Sequence, residues 1–109
     1  MPVRSKQLGI GTSLSAAAHD MYTVPTGYRT IVKSIVLWNR LGTAQRIVIG
    51  ILAGATLKAN FVVPLGATSS ATEYVVVSPW IVMDENTKIQ VAPQSGTADV
   101  IISGTELEL

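Results

Sequence analysis

The one histidine, His19, stands beside Asp20 and a few residues after Ser13 and Ser15. These are the residue types of a hydrolytic triad, in which a histidine takes the serine proton and a carboxylate orients the imidazole. The segment His19 to Val24 reads as a short strand, and neighbouring strand residues point to opposite faces. His19 and Asp20 are therefore separated rather than paired as base and orienter, and a strand-edge histidine is the expectation. No Gly-x-Ser-x-Gly elbow is present. Asp84-Glu85 offers two carboxylates, but a metal site needs several converging ligands, and one histidine with an acidic pair reads as a solvated turn. Gly9-Ile10-Gly11-Thr12-Ser13 is glycine-rich, yet no helix follows it and no Lys-Ser/Thr ending completes a phosphate loop. Glu106 and Glu108 fall on one strand face about 7 Å apart, and near a chain end such a pair reads as an exposed charged edge that discourages aggregation. These residues give no catalytic, cofactor-binding or metal site. Trp38 and Trp80 fit either a core or an interface, where tryptophan anchors are enriched.

The elements that position these residues are short β-branched segments separated by Gly, Pro, Asn, Ser and Thr, at the spacing of a sandwich or barrel. The first expected strand is Val3 to Ile10, followed by a small-residue stretch, Gly11 to Ala18, that reads as a loop or arm. Pro25-Thr26-Gly27 is a turn. Tyr28 to Asn39 is the longest strand, with Ile31, Ile35 and Leu37 on one face and Val32, Val36 and Trp38 on the other. Apolar residues on both faces imply a strand covered on both sides or placed at a subunit contact. Gln45 to Ala53 is expected to return as its hairpin partner. Thr56 to Leu65 carries Pro64, which an edge position tolerates. The loop Gly66 to Thr72 precedes Glu73 to Val77 and Trp80 to Met83, two strands or two halves of one strand bent at Pro79. Lys88 to Val91 alternates polar and apolar, and Ala98 to Leu109 closes the chain with Gly104 marking a bulge. The expectation is an all-β fold: an antiparallel two-sheet β-sandwich of about eight strands, with jelly-roll-like or Greek-key connections. Residues 1–18 are expected to form an N-terminal strand and flexible arm, and residues 19–109 the sandwich domain.

The 109 residues suffice for one core. Charged residues make up only 14% of the chain, against about 25% in an ordinary globular protein. A small domain with little charge must leave apolar or neutral surface for solvent or for a partner, and the partner is the reading adopted. Net charge is +1 with Lys and Arg scattered along the chain, so no basic block exists to track phosphates and nucleic acid is not expected. No cysteine is present. The N-terminus lacks the apolar run of a signal peptide, and the longest apolar run, Ile47 to Leu57, is broken by Gly50 and Gly54 and too short to span a membrane.

Three segments together resemble a known protein type. Tyr22-Thr23-Val24-Pro25-Thr26-Gly27-Tyr28 through Val32-Lys33-Ser34-Ile35 and Asn39 is similar to a Y-x-V-P-x-G-x-x-x-x-V-K-S-I-x-I-x-N stretch. Trp80 to Val91 is similar to W-x-V-L-x-x-G-D-x-I-x-V, with Asn86-Thr87 in place of Gly-Asp, and Val100 to Leu107 is similar to V-x-I-S-G-x-E-L. These segments resemble small β-sandwich structural proteins of tailed bacteriophages. Val36 and Trp38 stand where that pattern is more polar, which fits added contact surface.

The resemblance implies a non-enzymatic virion protein assembled in the host cytoplasm. Its leading form is a capsid decoration or cement protein, a homotrimer that binds the major capsid protein or other virion proteins across subunit boundaries. A tail, neck or fibre accessory protein is the alternative, and a glycan-binding sandwich ranks last because aromatic residues are only 6%. No cofactor, nucleic acid or membrane is expected as a partner. The candidate contact residues are Val3, Leu8, Ile10, Val36, Trp38 and Trp80.

Overall fold

The computed structural model describes residues 3–70 and 72–109, and side chains among them from Gln7 onward. Met1, Pro2, Ala71 and the side chain of the contact candidate Val3 lie outside the described residues. Among the described residues there are nine strands: β1 (Val3–Leu14), β2 (His19–Thr23), β3 (Tyr28–Asn39), β4 (Gln45–Ala53), β5 (Thr56–Leu65), β6 (Tyr74–Val77), β7 (Ile81–Met83), β8 (Thr87–Pro93) and β9 (Ala98–Glu108). They form two antiparallel sheets, a β-sandwich. The first sheet has the order β1-β9-β3-β6 with β7 also paired to β3, and the second the order β2-β8-β4-β5.

β6 and β7 pair with successive stretches of β3, Ile35–Trp38 and Thr30–Val32, and so form one interrupted edge strand. The interruption carries Pro79, which has no N–H for a ladder, and Trp80 at φ 50°. Counting the halves separately gives nine strands where about eight are expected from the sequence. β1 continues past Ile10 to Leu14, because Ile10, Gly11 and Leu14 pair with Ile101, Val100 and Ala98 of β9. Gly11 to Leu14, expected as a loop or arm, are thus strand.

The expected β3–β4 hairpin does not form. β4 pairs with β5 and β8 in the second sheet, while β3 pairs with β9, β6 and β7 in the first. A buried polar knot turns the chain from one sheet to the other. Asn39 Nδ2 donates to the Thr43 and Gly66 carbonyls, and its Oδ1 accepts from the Leu41 N–H and from Gln45 Nε2. Gln45 Nε2 also donates to the Gly96 carbonyl, and its Oε1 accepts from the Ser95 N–H. The tight hairpin is instead β4–β5, turned at Gly54 with φ 63°.

The core fills the space between sheets with Val24, Val32, Ile35, Leu37, Ile47, Ile49, Ile89, Val91, Val100 and Ile102, all fully buried. Val32 therefore faces inward with Ile35 and Leu37, while Ile31, only partly buried, lies on the outer side with Val36 and Trp38. Strict alternation groups Ile31 with Ile35. The register of β3 against β9 shifts between Val32 and Ser34, and the extra residue, Lys33, exchanges the faces below it.

Candidate functional site

Among the described residues, the groups that the sequence singles out are held in separate local contacts. His19 Nε2 lies 3.0 Å from the Ser15 carbonyl and 3.3 Å from Ser15 Oγ. A ring nitrogen that donates to the carbonyl cannot take the hydroxyl proton. Asp20 is turned away, accepting from Gln90 Nε2 at 2.7 Å and Lys88 Nζ at 3.2 Å. Those contacts, Gln90 first, hold its carboxyl below the usual carboxylate range. Glu85 accepts from the Gly27 N–H and Asp84 from Arg29, so the acidic turn ties β7–β8 to the start of β3. Among the described residues no three His, Asp or Glu side chains gather as metal ligands.

Glu106 corrects the expected exposed acidic edge. It is 0% exposed, whereas Glu108 is exposed. Burial of a carboxylate requires hydrogen-bond partners, and Tyr22 Oη donates to Glu106 Oε2 at 2.5 Å. Thr30 Oγ1 lies 2.7 Å from the same phenol. The reason lies in the register: Glu106 faces Thr30 on β3, an inward position.

The unusual feature is the outer face of the first sheet. Ile10, Ile101, Val36 and Val76 are register partners in turn across β1, β9, β3 and β6, and so form one apolar row over four strands. The next row carries Asp99, Trp38 and Tyr74, with the two aromatic rings 6.1 Å apart. Trp38 is 46% and Trp80 60% exposed, so neither is core. Ile10, Tyr74, Val76 and Val82 are also more than half exposed. A depression of about 220 Å³ lined by Ile10, Val36, Trp38 and Ile101, among others, opens on this face.

Charges lie at its rim: Arg40 is paired with Asp99 at one end, and Lys33 Nζ sits 5.5 Å from the Trp80 ring centroid at the other. An apolar centre with a charged rim is the anatomy of a protein interface. The outer face of the second sheet is mixed, with Asp20, Lys88, Gln90 and Arg46 interleaved with the exposed Val48, Leu57 and Val62. Of the sequence-derived contact candidates, Ile10, Val36, Trp38 and Trp80 share the first sheet's outer side, whereas Leu8 packs against the core. Sequence reasoning missed Ile101, Tyr74, Val76 and Val82. Their signal was an outward strand parity carrying large apolar side chains, readable only once the pairing of β9 and β6 with β3 is known.

The described residues define an antiparallel β-sandwich, and two solved structures of similar architecture frame it. One is the Drosophila NLP core, described in terms of pentamer formation and histone binding: 14% identity, TM-score 0.51, covering 97% of this chain and 98% of that one. Another is a chain of the acid-stable capsid of Helicobacter pylori bacteriophage KHP30: 9% identity, TM-score 0.52, covering 99% of this chain and 100% of that one. No family and no curated protein matches the sequence.

Proposed function

We propose that this chain is a non-enzymatic structural protein of a phage particle, a capsid decoration or cement protein that stabilises the shell by binding across capsid subunits. The observation that carries the reading is the exposed apolar face centred on Trp38, Val36 and Ile101, too apolar for a surface meant to stay in water. It is supported by the resemblance of three segments to phage sandwich proteins and by the occurrence of the same architecture in a phage capsid chain. Histone binding, described for the other fold neighbour, finds no counterpart, because seven acidic against eight basic residues give no acidic excess to hold a basic partner. The division into a strand and arm, residues 1–18, and a sandwich domain belongs to the same proposal. So does the homotrimer that the resemblance implies.

Copy number tests the reading. Quantitative mass spectrometry of purified particles is expected to find this chain at one to one, or one to a few, with the major shell protein. A handful of copies per particle would move it to the tail, neck or fibre, and absence from particles would sink the structural reading altogether. Within particles, Trp38→Ala is expected to lower occupancy while leaving the fold intact, since the ring is not core. Unchanged occupancy would remove Trp38 from the contact.

A further inference from the structure

We infer that the outer face of the first sheet is covered by a second copy of this chain, stacked across a two-fold axis that runs along the row Ile10–Ile101–Val36–Val76. The inference rests on the reading of that face as a contact surface in the particle and names its occupant: two copies meet through it over a boundary between capsid subunits, while other surfaces of each copy meet the shell.

Two observations select a second copy. The first is area. Ile10, Trp38, Tyr74, Val76 and Ile101, with Trp80 and Val82 beside them, leave on the order of 800 Å² open, about what one partner gives to a stable interface of standard size. Most of these exposed side chains are apolar, and the largest apolar patch on an ordinary monomer is only about 300–600 Å².

The second is the register. Above the row stand the bulky Trp38 and Tyr74, with Asp99 alongside. Below it, at the same outward parity, stand Ser103 and Ser34, themselves register partners, and Ser78 follows β6. A two-fold axis along the row sets each row residue over its own counterpart and carries the row above onto the row below. Each Trp38 then lies over the other copy's Ser34, each Tyr74 over Ser78, and each Asp99 over Ser103. Large residues meet small ones on both sides of the axis, so the face is complementary to itself, as an isologous contact requires. Strands of the two copies run nearly parallel or antiparallel in this arrangement, the ordinary aligned packing of sheets.

The test uses the purified full chain. Sedimentation equilibrium is expected to show a dimer, or a hexamer in which two of the trimers proposed above meet through this face, whereas a trimer alone would overturn the inference; Ile101→Lys, which places two like charges face to face at the axis, is expected to raise the dissociation constant at least 100-fold. Trp38→Ala, which deletes the knob without adding charge, is expected to weaken association in the same direction should the lysine variant fail to fold. The chain has no cysteine, so a short bismaleimide is expected to join Val36→Cys to itself far faster than Val48→Cys on the opposite sheet. A monomer at high concentration, a dimer unmoved by both face variants, or equal cross-linking at the two sites would each overturn the inference. A monomer whose Ile101→Lys variant is still lost from particles would overturn the second copy and leave the structural reading standing. A face-dependent dimer absent from particles would support the second copy and sink that reading.

Discussion

Tyr22 Oη donates to Glu106 Oε2 at 2.5 Å, joining residues 84 positions apart and bridging β2 in one sheet to β9 in the other. Thr30 bonds the same phenol from β3, so three strands share one buried polar cluster at the end of the sandwich away from Asn39. Both Tyr22 and Glu106 fall in the segments that resemble phage sandwich proteins, which gives those positions a structural reason: each satisfies the other inside the core. Removing the phenol leaves the carboxylate with one donor fewer in a dry site. Tyr22→Phe is expected to cost about 1–3 kcal/mol in urea unfolding. A double-mutant cycle with Glu106→Gln is expected to show coupling of about 1 kcal/mol or more; strict additivity would mean that the bond contributes nothing to stability.

A second prediction concerns the knot that carries the chain between sheets. Asn39 uses both amide hydrogens and its carbonyl oxygen, and Gln45 depends on it for one partner. Asn39→Ala therefore orphans two carbonyls, one N–H and part of a buried amide at once. A loss of about 2–4 kcal/mol is expected, larger than for Thr68→Ala, whose hydroxyl only supplements the Asn39 and Leu41 carbonyls. Equal losses in parallel denaturation curves would show that the knot is not what fixes the crossover.

Much of the sandwich was legible because its punctuation is local. Tyr28–Asn39, Gln45–Ala53 and Thr56–Leu65 lie between Pro25-Thr26-Gly27, Gly54 and Gly66, residues whose backbone preferences stop strands wherever they occur. What stayed hidden was nonlocal. Asn39 looks like any turn residue until Gly66 and Gly96 arrive from distant loops, and Glu106 looks like surface charge until Tyr22 reaches it. The bulge at Lys33, which decides whether Ile31 or Val32 enters the core, depends on its register with β9. The exposed apolar face was half legible for the same reason: Trp38 announces itself by size, but Ile101, Tyr74 and Val76 become its neighbours only through pairing.

Two backbone positions can be tested against each other. At Gly104 an added Cβ would collide with the Ile31 carbonyl, a backbone atom with no freedom to yield. Gly104→Ala is expected to cost more than about 2 kcal/mol through strain between β9 and β3. Asn86 stands at φ 66° in the turn where the similar phage segments carry glycine. Asn tolerates that conformation, so the turn survives without glycine. Asn86→Gly is expected to lie within about 1 kcal/mol of the natural chain, with relief of the left-handed backbone offsetting the lost bond from Thr26 Oγ1. Reversal of the order of these two variants in thermal melts would contradict the packing described.

The last prediction is the response of Asp20 to pH. Its carboxylate accepts from Gln90 and Lys88, and both favour the charged form, so its folded pKa lies below the ordinary value of 3.8. A group depressed by folding contributes stability that is present above its unfolded pKa and lost as pH falls through the folded one. Asp20 therefore adds nothing pH-dependent near neutrality, and its contribution fades only below about pH 4. Because the group is exposed, the effect on global stability is small and the titration itself is the better readout. Carboxyl NMR shifts are expected to place the Asp20 midpoint below that of a model peptide, and Gln90→Ala to raise it more than Lys88→Met, since the amide bond is the larger influence. Added salt should move the midpoint upward in the Gln90→Ala variant, where only the Lys88 charge remains, and much less in Lys88→Met. The opposite ranking would make the ion pair, rather than the neutral hydrogen bond, the group that holds this carboxylate on the polar sheet face.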